Sequence, residues 1–421
     1  MLPPLTFAGN DAGGFKWNTI APRLGLTYAA GDDRKTLLRA SFSRYAEQLG
    51  QNPQLIRVSP TANYSYAYFY FADANGNLKL DQAERGSLYF YYGYGFDPAN
   101  PGALTTANVN SKDLQPYLTD EVTFGVEHAF TSDLLLGATF TYRNIHDIAE
   151  LRPFVIDDAT GAQRLATRAD YVPKAPTTAT LPDGTPVVKP LYELREGLTA
   201  TGGSLLTNGD RTQDYKGVTL SLQRRLHDRW SARGHVTYND WKWKMGDEFK
   251  FYDNPTDTIS DGLGYSDSNE TYVERSGGSK GNVFVGSKWN FNVNGLYQVA
   301  PDRVWGFDVG GSVTGRQGYA APPSKSRQSG DPLGGTPRRT VQLTDDLDDI
   351  RHANVYTVDA HLGKDFKLDD FTLSLVVDGF NLLNSHTVLQ RELDARLSRY
   401  QQITEELSPR VFRLGLIFRW N

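Results

Sequence analysis

The stretch Asp73-Ala-Asn75-Gly-Asn77-Leu-Lys79-Leu-Asp81-Gln-Ala-Glu84 carries the sharpest chemical signal in the chain. Oxygen-bearing side chains fall at places 1, 3, 5, 9 and 12 of a twelve-residue loop, and Lys79 at place 7 offers its backbone carbonyl. Ca2+ takes roughly six to eight oxygens. Alternate residues of a tight loop converge that many, and the last Glu closes the shell with both of its oxygens. The residues expected to hold Ca2+ are therefore Asp73, Asn75, Asn77, Lys79 through its carbonyl, Asp81 and Glu84, and no other cofactor is expected. Against a cation stand Leu78 at place 6, where glycine usually permits the sharp turn, and the two Asn, which lower the charge of the site. An Asn-Gly turn in an exposed loop is the alternative.

Other chemistry-bearing groups are sparser. Asp345, Asp346, Asp348 and Asp349 cluster just before a strand, where a solvated loop end competes with contact to a cation or a basic substrate. The rings from Tyr64 to Phe71 and from Tyr89 to Tyr94 suit either stacking on sugars and aromatic ligands or packing of a loop on its neighbours. His128, His235 and His361 lie in alternating stretches at positions that fit polar, lumen-facing residues, without metal-ligand spacing. No Gly-x-Ser-x-Gly, His-Glu-x-x-His, phosphate-cradling loop or cysteine nucleophile occurs, so an enzyme is not expected. A net charge of -5 argues against a nucleic-acid partner.

The elements that must position these residues are strands. From Arg410 to Asn421, Phe412, Leu414, Leu416, Phe418 and Trp420 fall on one side, and Arg413, Gly415, Ile417 and Arg419 on the other. The same period recurs in five hairpins. Leu24, Leu26 and Tyr28 turn at Gly31-Asp32-Asp33 into Leu38, Ala40 and Phe42; Val122, Phe124 and Val126 turn at Thr131-Ser132-Asp133 into Leu134, Leu136, Ala138, Phe140 and Tyr142. Val218, Leu220 and Leu222 turn at His227-Asp228 into Trp230, Ala232, Gly234, Val236 and Tyr238. Trp289, Phe291, Val293 and Tyr297 turn at Pro301-Asp302 into Trp305, Phe307, Val309 and Val313; Tyr356, Val358, Ala360 and Leu362 turn at Lys367-Leu368-Asp369 into Phe371, Leu373, Leu375 and Val377. With the terminal strand this makes about eleven strands of ten or more residues, against a mean near five or six in soluble sheets.

Connections alternate short and long. Residues between the first two hairpins, and roughly Arg152 to Arg211, form long polar excursions rich in Gly and Pro. Turns on one rim and loops on the other suit a transmembrane barrel, whose strands show lipid only every second residue; a mean hydropathy of -0.49 is compatible with that. No run of about eighteen apolar residues exists, so a helical span is excluded. A soluble β-sandwich is the alternative, with shorter strands and unsorted connections. Short turns placed in the periplasm make the first and last strands both run inward, and an odd strand set then lacks upstream partners. The first residues carry no secretory signal, which an outer-membrane protein needs.

Several segments resemble TonB-dependent outer-membrane receptors, and within them the Oar-like group. They are Ala21-Pro-Arg-Leu-Gly-Leu-Thr-Tyr28, Leu38-Arg-Ala-Ser-Phe-Ser-Arg-Tyr45, Thr119-Asp-Glu-Val-Thr-Phe-Gly-Val-Glu127 and Phe380-Asn-Leu-Leu-Asn384, in order along most of the chain. The last strand is similar to the terminal strand that the barrel-assembly machinery reads, except that Asn421 follows the aromatic. The resemblance implies that residues 1–421 are the C-terminal part of one antiparallel barrel domain of about 22 strands, with plug and N-terminal strands absent. It implies a bacterial outer-membrane location, with lipid and lipopolysaccharide around the wall. It also implies energy-coupled uptake of a scarce external substrate, the TonB complex acting through the missing N-terminal part. A passive porin or adhesin barrel, or a fragment without transport activity, stays open beside it.

Overall fold

The computed structural model describes residues 16–47, 66–79, 81–92, 99, 108–173, 176–189, 192–244, 270–272, 286–326, 340–368 and 370–420. Eleven strands pair in chain order into one antiparallel sheet: Arg23–Ala30, Thr36–Ala46, Leu118–Ala129, Leu134–His146, Thr212–His227, Trp230–Lys244, Trp289–Val299, Phe307–Arg316, Val355–Leu368, Phe371–Phe380 and Val411–Trp420. These are wall strands 1 to 11. A short piece, Glu270–Tyr272, extends the sheet only against the end of strand 6. The all-β fold, the five hairpins and the strand count are as the alternation predicts.

Two physical features set the hairpins. The Asp228-Arg229 turn places both residues at positive φ, 47° and 72°, the handedness that matches the twist of the flanking strands. In the 300–306 turn, the backbone folds so tightly that a Cβ on Gly306 would stand 2.1 Å from the Ala300 carbonyl oxygen. That closure ends the turn two residues late. Trp305, expected inside the strand, instead sits on the rim, and strand 8 begins at Phe307.

Register makes the apolar face continuous. Leu26 faces Ala40, Ala40 faces Phe124, Phe124 faces Phe140, Phe140 faces Val218, and Val218 faces Tyr238. On the other half Tyr297 faces Val309, then Leu362, Val377 and Leu414. Leu220 is 54% exposed and Leu414 71%, although both are central in their strands. Buried hydrophobic residues lie in the long connections instead; Val355 is the one wall residue among them in the described structure. Aromatic side chains stand at both ends of the face: Phe130, Trp230 and Trp420 toward the short turns, Tyr238, Tyr356 and Phe412 toward the long connections. From Trp230 to Tyr238 is roughly 26 Å along the strand, or about 20 Å along the normal at a 40° tilt. Beyond the far aromatic row the same face turns ionic. Arg44 grips Asp120 with two bonds of 2.6 Å, and Asp214 accepts from Asn144 at 2.6 Å and pairs with Lys244.

The long connections are not bare loops. Val109–Asn110, Leu198–Asn208, Ala149–Asp157 and Gln163–Leu165 form a second sheet over a core of Leu114, Val155, Ala166 and Leu206. Beside it Asp170, nearly buried, takes both arms of Arg164 at 2.6 and 2.7 Å and the Thr167 N–H at 2.7 Å. Arg164 above all holds its carboxyl well below the usual range, against the opposing effect of burial. The Asn-Leu-x-Asn segment closes the last connection on itself. Asn381 donates to the Ser385 and Ser408 carbonyls, and Asn384 accepts the Arg410 N–H at 2.9 Å, so strand 11 is delivered beside strand 10.

Among the described residues strand 1 pairs only with strand 2, and strand 11 only with strand 10. The sheet is open. Its two edges carry rows of unpaired backbone groups, which hydrocarbon cannot solvate. These 421 residues alone are therefore expected not to form a heat-modifiable monomer in liposomes. A stable inserted monomer whose gel mobility changes on boiling would overturn that expectation.

Candidate functional site

The twelve-residue stretch forms the tip of a hairpin made by Tyr66–Phe71 and Arg85–Tyr92. Runs of consecutive aromatic residues build the strands, and their rings meet one another: Tyr66 and Tyr68 edge to face at 5.2 Å, Tyr70 and Tyr89 at 5.4 Å. Tyr68, Tyr70 and Tyr89 are each more than half exposed, so the rings do not serve to bury the hairpin against neighbours.

At the tip the side chains of Asp73, Asn75, Asn77, Asp81 and Glu84 are taken up in hydrogen bonds within the loop. Asp73 accepts the N–H of Asn77 at 3.1 Å and of Leu78 at 2.9 Å; Glu84 Oε1 accepts those of Ala74 and Asn75 at 2.9 and 3.1 Å. Asn75 Oδ1 and Asn77 Oδ1 each accept an N–H two residues on, from Asn77 and from Lys79. Gly76 and Leu78 both take positive φ, 69° and 56°. Leu78 thus makes the turn that its side chain was expected to resist, because Asp73 holds the N–H groups of Asn77 and of Leu78 itself. Among the described residues Glu84 Oε2 is buried without a hydrogen-bond partner.

One arrangement bears directly on a cation. The side-chain amides of Asn75 and Asn77 both donate to Asp81 Oδ2, at 3.0 and 2.9 Å. Those two bonds lower the Asp81 carboxyl below its ordinary value. The amide hydrogens stand where a metal would bring positive charge, and among the described residues no three His, Asp or Glu side chains are gathered as a metal cluster. The oxygens fit Ca2+ in kind and order, but the ion must displace the amides from Asp81.

Other expected groups fall differently. Of the acidic cluster, Asp345 pairs with Lys189, Asp348 bridges Lys288 at 2.8 Å and Arg351 at 3.2 Å, and Asp349 accepts the Asp346 N–H. Asp348 ties loops together, while Asp345 and Asp349 stay exposed, so the cluster is solvated at its edges and bound at its centre. His361 does face the polar side, bonded to Asp378 Oδ1 at 2.7 Å, and His235 shares that side. His128 does not. It has the parity of Val126 and lies on the apolar face, where Thr36 Oγ1 bonds its ring at 2.8 Å and Phe130 meets it edge to face. Sequence reasoning missed Asp378 and Arg413, bonded at 2.6 Å, because they meet only across paired strands.

No protein-family model and no curated protein matches this chain. Among solved structures it is similar to the outer membrane transporter YddB from Escherichia coli, at 12% identity and a TM-score of 0.43, covering 92% of this chain and 39% of that one. It is also similar to the siderophore receptor PirA from Acinetobacter baumannii (12%, TM-score 0.43, 95% and 41%) and to the FrpB iron transporter from Neisseria meningitidis (10%, TM-score 0.39, 94% and 38%). The chain spans about two fifths of the length of these structures.

Removing Asp73 is expected to loosen the tip. In Asp73→Ala the Leu78 amide loses its acceptor, worth about 1 kcal/mol, and should exchange hydrogen roughly fivefold faster, while the Asn77 amide keeps Asn75 Oδ1. Unchanged exchange would show that the turn does not depend on this carboxylate.

Proposed function

We propose that the eleven-strand sheet is wall of a bacterial outer-membrane β-barrel, with the long connections outside and the short turns in the periplasm. The observation that supports it most is the apolar face, unbroken across all wall strands, bordered by aromatic rows and backed by a polar face. In water such a face is a large unburied liability; in lipid it is solvated. Within that class we propose a TonB-dependent receptor, related to the Oar-like group, that takes part in energy-coupled uptake of a scarce external substrate. That finer assignment is supported by the order of the sequence motifs. Lipid and lipopolysaccharide would meet the apolar face, the assembly machinery would read strand 11, and coupling to the TonB complex would run through a plug.

Because the chain has no cysteine, single replacements report alone. In outer-membrane vesicles Arg233→Cys, on the polar face, is expected to react with a water-soluble maleimide, and Val236→Cys, on the apolar face, only with a lipid-soluble one. Equal reaction of both with the water-soluble reagent would sink the membrane placement. A plug-coding sequence in frame before the Met1 codon separates the receptor from a passive barrel.

We also propose that the hairpin tip binds Ca2+ weakly, through Asp73, Asn75, Asn77, the Lys79 carbonyl, Asp81 and Glu84. The left-handed Leu78 and the unpartnered Glu84 Oε2 favour this reading. Competition from the two Asn amides keeps the affinity in the range of extracellular modules, about 10⁻⁴ to 10⁻³ M. In calorimetric titration of the full protein, Glu84→Gln should weaken binding about tenfold. Leu78→Gly should tighten it severalfold by removing about 1 kcal/mol of left-handed strain. No heat at millimolar Ca2+, or an unaltered trace for Glu84→Gln, would leave only the turn.

A further inference from the structure

Three Asn-Gly pairs occur in the chain, Asn75-Gly76, Asn208-Gly209 and Asn294-Gly295, and the fold treats them differently. An Asn followed by glycine can react with its own backbone. The glycine N–H gives up its proton to water, its nitrogen attacks the Asn Cγ, and the Cγ–Nδ2 bond breaks to release ammonia. Water then opens the cyclic imide, at Cγ to give Asp or at the backbone carbonyl to give the β-linked isomer, so that amide and water become acid and ammonia. Glycine favours the attack because no Cβ crowds the nitrogen. The reaction also needs an unbonded N–H, a peptide free to turn, and a donor aimed at the oxygen on which charge develops.

Two of the pairs are closed to it. Gly209 gives its N–H to the Ile148 carbonyl at 2.9 Å, and Asn208 donates from Nδ2 to the Gln115 and Asp147 carbonyls while its Oδ1 accepts the Gln115 N–H at 2.7 Å. Gly295 stands in wall strand 7 between Ala232 and Gly311, where turning the peptide would break ladder bonds.

The third pair is open. Asn75 and Gly76 are exposed at the hairpin tip, and a Cβ on Gly76 would meet nothing within 4 Å. The N–H groups of Ala74, Asn75, Asn77, Leu78 and Lys79 are all bonded to side chains; among the described residues that of Gly76 has no acceptor. It is the nitrogen that the reaction uses. Asn75 Oδ1 accepts the Asn77 N–H at 3.0 Å, so a donor already faces the oxygen that becomes an oxyanion when Cγ turns tetrahedral. The leaving amide is anchored as well, Nδ2 donating to Asp81 Oδ2 at 3.0 Å.

We propose that Asn75 is a self-modification site, converting without an enzyme to Asp or its β-linked isomer, with water consumed and ammonia released. Conversion exchanges an amide that donates to Asp81 for a carboxylate that repels it, so the tip loses a brace and gains a negative charge. The modification is independent of the Ca2+ reading of the same loop.

The test is peptide mapping by mass spectrometry of the full protein, extracted from membranes in detergent and incubated at mildly alkaline pH without added metal. Each Asn-Gly peptide reports separately, through the mass change from amide to acid and the appearance of an isomeric peptide. In the folded protein Asn75 is expected to convert at least about tenfold faster than Asn208 or Asn294, which must first open locally. Its rate should rise with pH as the Gly76 N–H gives up its proton, and the three rates should draw together in denaturant. Gly76→Ala should slow conversion about tenfold by crowding the nitrogen. Asn75→Gln should abolish it, because the longer side chain must close a larger ring. A rate at Asn75 no greater than at the other two pairs overturns the proposal. So does a rate in the folded protein far below that in denaturant, which would mean that the tip protects the amide. Mass change at Asn75 in a protein that gives no heat with Ca2+ would remove the cation reading and leave this site intact.

Discussion

Cross-strand register is the constraint on which the rest of the molecule depends. Side chains alternate with period two, so a slip of one residue at any of the ten pairings would carry a whole set of apolar residues to the opposite face. Each short turn fixes one register and each long connection must arrive at the next. The hydrogen bonds of Asn381 and Asn384 show how such an arrival is secured: the connection is tied to its own end before strand 11 begins. Gly306, which lies against the Ala300 carbonyl, does the same work in a turn.

That register divides the molecule into regions with different energetics. The wall has little core of its own, since its large apolar side chains point outward and stay exposed. Its polar face is held by pairs such as Arg143 with Glu121 and Arg413 with Asp378, where bidentate or charge-assisted geometry matters more than number. The long connections resemble small soluble domains. They bury Leu114, Val155, Leu206, Leu343 and Leu347 and neutralise Asp170 and Asp348 with neighbouring cations. The two regions therefore place their apolar side chains in opposite ways, outward on the wall and inward in the connections.

The hairpin tip joins these themes at small scale. Five backbone N–H groups are satisfied by Asp73, Asn75, Asn77 and Glu84 side chains, a degree of internal bonding that orders an exposed loop without a core. Asn75 and Asn77 also neutralise Asp81 in part, the task a cation performs in loops of this spacing. The turn as it stands and the proposed cation site would therefore draw on the same side-chain groups.

The sequence by itself determined the strand-based architecture, the five hairpins, the sorting of short from long connections and the membership of each face, because all of these follow from local alternation and turn chemistry. It also held the placement of His128, whose parity with Val126 was legible but was set aside by the expectation that a polar residue turns inward. Bonding to Thr36 from the paired strand explains how that ring is accommodated on the apolar side. Only the tertiary structure decided the rest. Asp378 meets Arg413 from 35 residues away, and Arg44 meets Asp120 from 76. Such encounters depend on which strands pair and where the long connections fold back, and no local pattern of residue types encodes a distance between segments that far apart.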